Sequence, residues 1–202
     1  NKHEENDLVT GHTIVNEPGF SWERRFFKSW GLLQVISGSG QVSISECSIE
    51  IAAGDMLLTS PNHKYLFCTN DNWDFVWCHF IPRQHMVDQL RFNTLIPGAG
   101  YVHFEKHKSR RVLRDLLEAH NLELHRPHGW YAMAMLLIES ALQRALNILT
   151  VDQENLPDEI RQAMKILTMP DGLRNIDRIA KNVGMSHTAF YRKFKQKLGC
   201  TP

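Results

Sequence analysis

The sequence predicts an α+β chain: an antiparallel β-sandwich or small barrel first, helices after it, and a basic helical segment at the end. Three observations predict this. Residues 24–81 alternate with a period near two, residues after Pro82 follow helical spacing, and charge divides unevenly along the chain. Residues 1–157 carry 14 Lys and Arg against 18 Asp and Glu, whereas residues 158–202 carry 9 against 4. A near-neutral chain of 202 residues with a basic end suggests two functions, the second directed at nucleic acid. The 43% hydrophobic and 22% charged content excludes a disordered or low-complexity chain. No apolar run is long enough to span a membrane. The charged start NKHEENDLVT lacks an apolar signal core, and Cys47, Cys68, Cys78 and Cys200 form no disulfide framework or CxxC pair. A cytoplasmic location is expected.

The strand segments are GLLQVIS, QVSIS, SIEI, DMLLTS, KYLFCT and WDFVWCHFI. Gly38-Ser39-Gly40, Ala53-Gly54-Asp55, Pro61-Asn62 and Asn70-Asp71-Asn72 supply the turns between them. Such short spacing leaves no room for crossover helices, so pairing must be antiparallel. On the last segment Trp73, Phe75, Trp77, His79 and Ile81 share one face and Val76, Cys78 and Phe80 the other. Both faces are apolar, which predicts a strand covered on both sides.

Residues 107–125 place Val112, Leu113, Leu116, Leu117 and His120 on one helical face. A second helix is expected over 128–150, where Tyr131, Met135, Ile138, Leu142, Ala145 and Leu149 recur at steps of four and three. This seam fits either the chain's own sheet or a partner copy, and Met133 and Leu137 add a second apolar strip. We assign the seam to dimerisation. The polar stretch TVDQENLP makes 151–157 the expected linker, followed by helices over 158–169, 176–183 and 187–198.

The last two helices carry the sharpest signal. Asn175 stands where it can cap a helix whose buried face is Ile176, Ile179, Ala180 and Val183. Gly184 permits a sharp turn, Ser186 caps the next helix, and Phe190, Phe194 and Leu198 face inward. Together these describe a helix-turn-helix. Its outer face carries Thr188, Tyr191, Arg192, Lys195 and Lys197. The Arg192 fork matches the O6 and N7 acceptors of guanine, with Thr188 and Tyr191 beside it. Lys193, Lys195 and Lys197 suit phosphates.

IDRIAKNVGMSHTAFYRKFKQKLGCTP resembles the first helix-turn-helix of the AraC/XylS family of bacterial transcription regulators. LLQVISGSGQVSI, IAAGDMLLTSPNHKY and WDFVWCHF resemble that family's effector domain, more loosely. The resemblance implies a cupin-like jelly-roll barrel over residues 1–106, dimerising helices over 107–150, the linker 151–157, and half of a DNA-binding domain over 158–202. It also implies a homodimer that answers a small effector, expected to be a carbohydrate, by changing its grip on DNA. The family joins two helix-turn-helix units by a long helix, and the sequence stops at Thr201-Pro202 where that helix would begin. Truncation after the first unit, with weak DNA binding, is therefore expected. Residues before about 20 would form an arm over the pocket.

In the arabinose-responsive members a tryptophan, a tyrosine and an arginine contact the sugar. By position these correspond to Trp77, Tyr65 and Arg24, with Arg25 the neighbouring alternative. Thr13 matches an early pocket threonine, Phe75 stands where those members have a histidine, and His79 shares the strand face of Trp77. The rival reading is a metal-dependent cupin enzyme acting on a sugar or acid. Such enzymes gather two or three histidines and a carboxylate, often starting HxH, whereas His63 and His79 stand alone in sequence. No catalytic residue, metal or cofactor is therefore assigned.

Overall fold

The computed structural model describes residues 8–25, 28–44, 47–87, 89–90, 98–154, 156–168 and 175–198, with the backbone alone at 47, 149–154, 168 and 198. Among the described residues eight strands and six helices follow in order: β1 Leu8–Val15, β2 Phe20–Arg24, β3 Trp30–Ile44, β4 Cys47–Ala52, β5 Asp55–Thr59, β6 Tyr65–Thr69, β7 Trp73–Phe80, α1 Gln84–Val87, β8 Ala99–His103, α2 Lys106–His125, α3 Trp130–Glu154, α4 Asp158–Thr168, α5 Ile176–Asn182 and α6 His187–Leu198. This is the α+β architecture expected, an antiparallel β-barrel followed by helices.

The barrel has two layers joined by β3. One runs β1-β7-β3-β5-β8, and in the other β6 pairs with β2 and β3 while β4 pairs with β3. The first half of β3 lies against β5 and β7, and the second half, from Ser39 to Ile44, against β4 and β6. Gly38-Ser39-Gly40 is thus not a turn between two strands but the corner at which one strand changes layers. The register shifts between Val35 and Ser37, and Gly38 holds φ +73°. A Cβ on Gly38 would fall 1.8 Å from the Asn72 carbonyl oxygen, and one on Gly40 would fall 2.6 Å from the Trp73 ring. Only residues without side chains allow that approach.

Leu33, Val35, Val42, Ile51, Leu57, Phe67, Trp73 and Phe75 fill the space between the layers. On the back of the five-stranded layer, Leu32, Leu58, Val76, Cys78 and Phe80 meet α2 through Val112, Leu116 and Ala119, and α3 through Met135, Ile138 and Leu142. Strand β7 is therefore covered on both sides, as its two apolar faces predict. Gln34, fully buried among these, donates from Nε2 to Ser109 Oγ at 3.3 Å and ties the sheet to α2. Nearer the middle of α3, Arg83 clamps Glu139 with two bonds of 2.6 and 2.5 Å.

The seam on α3 packs inward. Met135, Ile138, Leu142 and Ala145 are buried in the chain's own core, so the seam assigned to dimerisation faces the sheet. The side chain of Leu149 lies outside the described residues. Tyr131 is exposed, and beside it Met133 and Leu136 are 50% and 57% exposed. Two further expectations change. Residues 8–15, read as part of an arm, pair along their whole length with β7, while residues 1–7 lie outside the described set. Helix α3 continues to Glu154, so the first four residues read as linker are helical.

Candidate functional site

Between the layers lies a narrow cleft with about 20 Å³ of free space, room for about one water molecule. Its walls include Trp22 and Arg24 of β2, Thr59 of β5, Phe67 of β6, and Phe75, Trp77 and His79 of β7. Strand alternation puts Trp22 and Arg24 on one side of β2, and Phe75, Trp77 and His79 on one side of β7.

The Arg24 guanidinium is 1% exposed. Its Nη1 donates to Thr59 Oγ1 at 2.9 Å and its Nη2 to the Ser29 carbonyl at 2.5 Å. Thr59 in turn donates to the Gly31 carbonyl at 3.1 Å. Gly31 is needed here because a Cβ would sit 2.4 Å from Thr59 Oγ1. Burial lowers the Arg24 pKa from its ordinary value, and the nearby Tyr65 opposes that shift. The guanidinium lies 5.5 Å from the centre of the Tyr65 ring.

His79 occupies the space between two indoles. Its ring centre is 6.3 Å from Trp22, nearly parallel at 18°, and 5.2 Å from Trp77. Burial, helped by the Arg24 charge, lowers the imidazole pKa to about 4, so it is neutral near pH 7. Trp77 is held at its polar end, with Nε1 donating to Thr13 Oγ1 at 3.0 Å. Its indole lies across Gly11, where a Cβ would come within 2.4 Å of the ring. The cavity thus offers aromatic faces, one fixed cation and one neutral imidazole. Its free space admits no more than about one water molecule, so a larger guest would have to part the walls.

Of the six side chains assigned to the ligand, Arg24, Phe75, Trp77 and His79 line this cavity. Thr13 acts on it through Trp77. Tyr65 is turned away, since its hydroxyl donates to the Gly98 carbonyl at 2.7 Å, with the Ser60 carbonyl 3.0 Å away sharing the same proton. Arg25 is on the surface with Glu23. Trp22 and Thr59 were missed. The alternation of FSWER puts Trp22 on the side of Arg24, a signal obscured by the shortness of β2. Among the described residues no group of three His, Cys, Asp or Glu side chains is placed to hold a metal ion.

The terminal helices form a second candidate surface. Asn175 Oδ1 accepts from the Arg178 amide at 3.1 Å, Gly184 holds φ +72°, and Ser186 Oγ accepts from the Ala189 amide at 3.3 Å. Ile179, Ala180, Phe190 and Phe194 are fully buried with Ile160 and Ala163 of α4. The caps and turn therefore stand where the residues predict, and the Leu198 side chain lies outside the described set. Thr188, Tyr191, Arg192, Lys195 and Lys197 are exposed together on α6. Lys193 differs, because its ammonium lies 3.4 Å from Glu159 of α4. Exposed Arg178 and Lys181 on α5 extend the basic surface.

No family model and no curated protein matches the chain. Among solved structures, ToxT from Vibrio cholerae, described as bound to an unsaturated fatty acid, is 11% identical over 98% of this chain and 94% of its own, with TM-score 0.44. EutQ from Clostridium difficile is 19% identical over 36% of this chain, with TM-score 0.31, and the match spans 56% of EutQ. A cupin superfamily protein from Desulfitobacterium hafniense is 11% identical over 39% of this chain and 71% of its own, with TM-score 0.36. With every one of these TM-scores below 0.5, the likenesses carry no argument about ligand or activity.

Proposed function

We propose that this chain is a ligand-responsive, DNA-binding transcription regulator of AraC/XylS type, without catalytic activity. Its barrel captures a small effector and its helix-turn-helix contacts DNA. The observation that carries the reading is the pairing, in one polypeptide, of an aromatic cleft holding a buried cation with two capped helices, the second exposing Thr188, Arg192 and Lys195 on one face. The cleft's chemistry favours a monosaccharide, which would enter by displacing the 38% exposed Trp22, with its C–H face against Trp77 and its hydroxyls on Arg24 and Thr59. The protomers pair through the outward strip of α3, Met133 and Leu136, because the inward seam is already filled.

A thermal-shift screen of monosaccharides and small carboxylic acids tests the cavity, since a ligand that binds only the folded state must raise its midpoint. The expected hit is a monosaccharide whose shift disappears in Arg24→Met. Failure of every compound would reject the effector role. For DNA, Arg192→Ala is expected to cost about 1–3 kcal/mol at one base pair. Unchanged sequence preference would remove Arg192 from base reading.

A further inference from the structure

A second concavity lies on the opposite side of the five-stranded layer, where the end of β8, the first turns of α2 and the later turns of α3 meet. It holds about 750 Å³ of free space and opens to solvent. Lys108 and Arg111 of α2 and Arg144 of α3 line it, with His103 and His107 beside them and Phe104 and Ile148 as an apolar floor. We infer that this groove binds the phosphate group of a small phosphorylated molecule, at a site separate from the barrel cavity.

The sequence concentrates cations here against the trend of the region. Residues 1–157 carry 14 Lys and Arg against 18 Asp and Glu, yet Lys106, Lys108, Arg110, Arg111 and Arg114 fall within nine positions. Lys108 and Arg111 are three apart and so share a helical face. The opposing charges are weakly placed. Glu105 at the rim lies 3.5 Å from Lys108 and 3.6 Å from His107, and is 67% exposed. Asp55 holds His103 at 2.6 Å. Buried Asp115 lies behind the groove, 3.7 Å from Arg144 Nε, and accepts from Ser140 Oγ at 3.0 Å. That contact steadies the Arg144 fork. No such carboxylate is recorded at Arg111 among the described residues.

Two guanidinium forks and an ammonium around one concavity suit a group with two negative charges and several acceptor oxygens. A small ligand fits better than a duplex. Screening limits the field to about 8 Å at physiological salt, so a small anion meets only these cations. A duplex would run on past this cluster over a region whose acidic residues outnumber its basic ones. The apolar floor adds area for the organic part of the ligand, which duplex phosphates would not use.

The test is titration of the 202-residue chain in low salt with inorganic phosphate, pyrophosphate, adenosine monophosphate and adenosine, read by calorimetry. Adenosine monophosphate or pyrophosphate should bind, and adenosine should not. Phosphate alone binding as tightly as adenosine monophosphate would assign the site to the free anion and still support it. Arg111→Ser and Lys108→Ser, both at exposed positions, should each weaken binding at least tenfold. Lys64→Ser, a distant surface cation, should leave it unchanged, as should Arg24→Met in the barrel. Binding of none of the phosphates, equal binding of adenosine, or indifference to Arg111→Ser overturns the proposal. So does an Arg111-dependent affinity for duplex DNA without affinity for the small phosphates.

Discussion

The barrel cavity and the terminal helices both present arginine, but in opposite states. Arg24 is buried and fixed by Thr59 and Ser29, whereas Arg192 stands in solvent on α6. In the cavity the solvent cost has been met by the fold, so a single cation among aromatic rings can discriminate ligands strongly. On α6 each charge is screened, and recognition depends on how many cations act together. Under the proposed function, the difference would separate a site that selects by shape and desolvation from one that selects by count and register.

The sharpest way to break this comparison is to remove one core and watch the other. Phe194 is fully buried in the small cluster that joins α4, α5 and α6. Phe194→Ala should cost about 3–5 kcal/mol and unfold that unit. All five tryptophans, at positions 22, 30, 73, 77 and 130, lie before it. Helical circular dichroism should therefore fall while tryptophan emission stays the same. A simultaneous change in both would mean that the two regions fold as one.

The burial of His79 in the cavity has a pH signature that the outer helix lacks. His79 titrates near pH 4 when folded and near 6.5 when unfolded. Between those values the unfolded chain binds the extra proton, so stability is complete above pH 6.5 and falls as pH drops toward 4. The loss is at most about 3 kcal/mol, read as a falling urea midpoint. His79→Gln should flatten that slope. An unchanged slope would place the imidazole in water.

Arg24→Met sharpens the same contrast. The flexible thioether fills similar volume, Thr59 keeps its bond to the Gly31 carbonyl, and Ser29 is partly open to water. Replacing a buried cation by an apolar side chain of like size should leave the thermal midpoint level or higher. Effector affinity should nevertheless fall at least tenfold, about 1.4 kcal/mol. A lower midpoint with affinity intact would make Arg24 a structural group.

Much of this contrast is legible in the residues, and the gaps have physical causes. Helix ends at Asn175, Gly184 and Ser186 are local chemistry, so sequence marks them directly. Strand β7 declares its double burial because both its faces are apolar. The role of Gly38 and Gly40 is not local. They read as a turn until Trp73, more than thirty residues away, is seen to need the space they leave. The α3 seam has the same character: its spacing shows a packed face, but only the back of the sheet shows what packs on it. Trp22 escaped because β2 spans five residues, too few for alternation to stand out.

The smallest expected effect tests how the cavity wall is held. Trp77 is fixed by the Nε1–Thr13 bond on one side and by the bare backbone of Gly11 beneath its ring. Thr13→Val keeps the shape and removes the acceptor, leaving an indole N–H half in solvent. The cost should be about 1 kcal/mol. Because Gly11 still accommodates the ring, the cavity should persist, with effector affinity reduced less than in Arg24→Met. An equal or larger loss of affinity would show that indole orientation, and not the buried cation, sets recognition in the barrel.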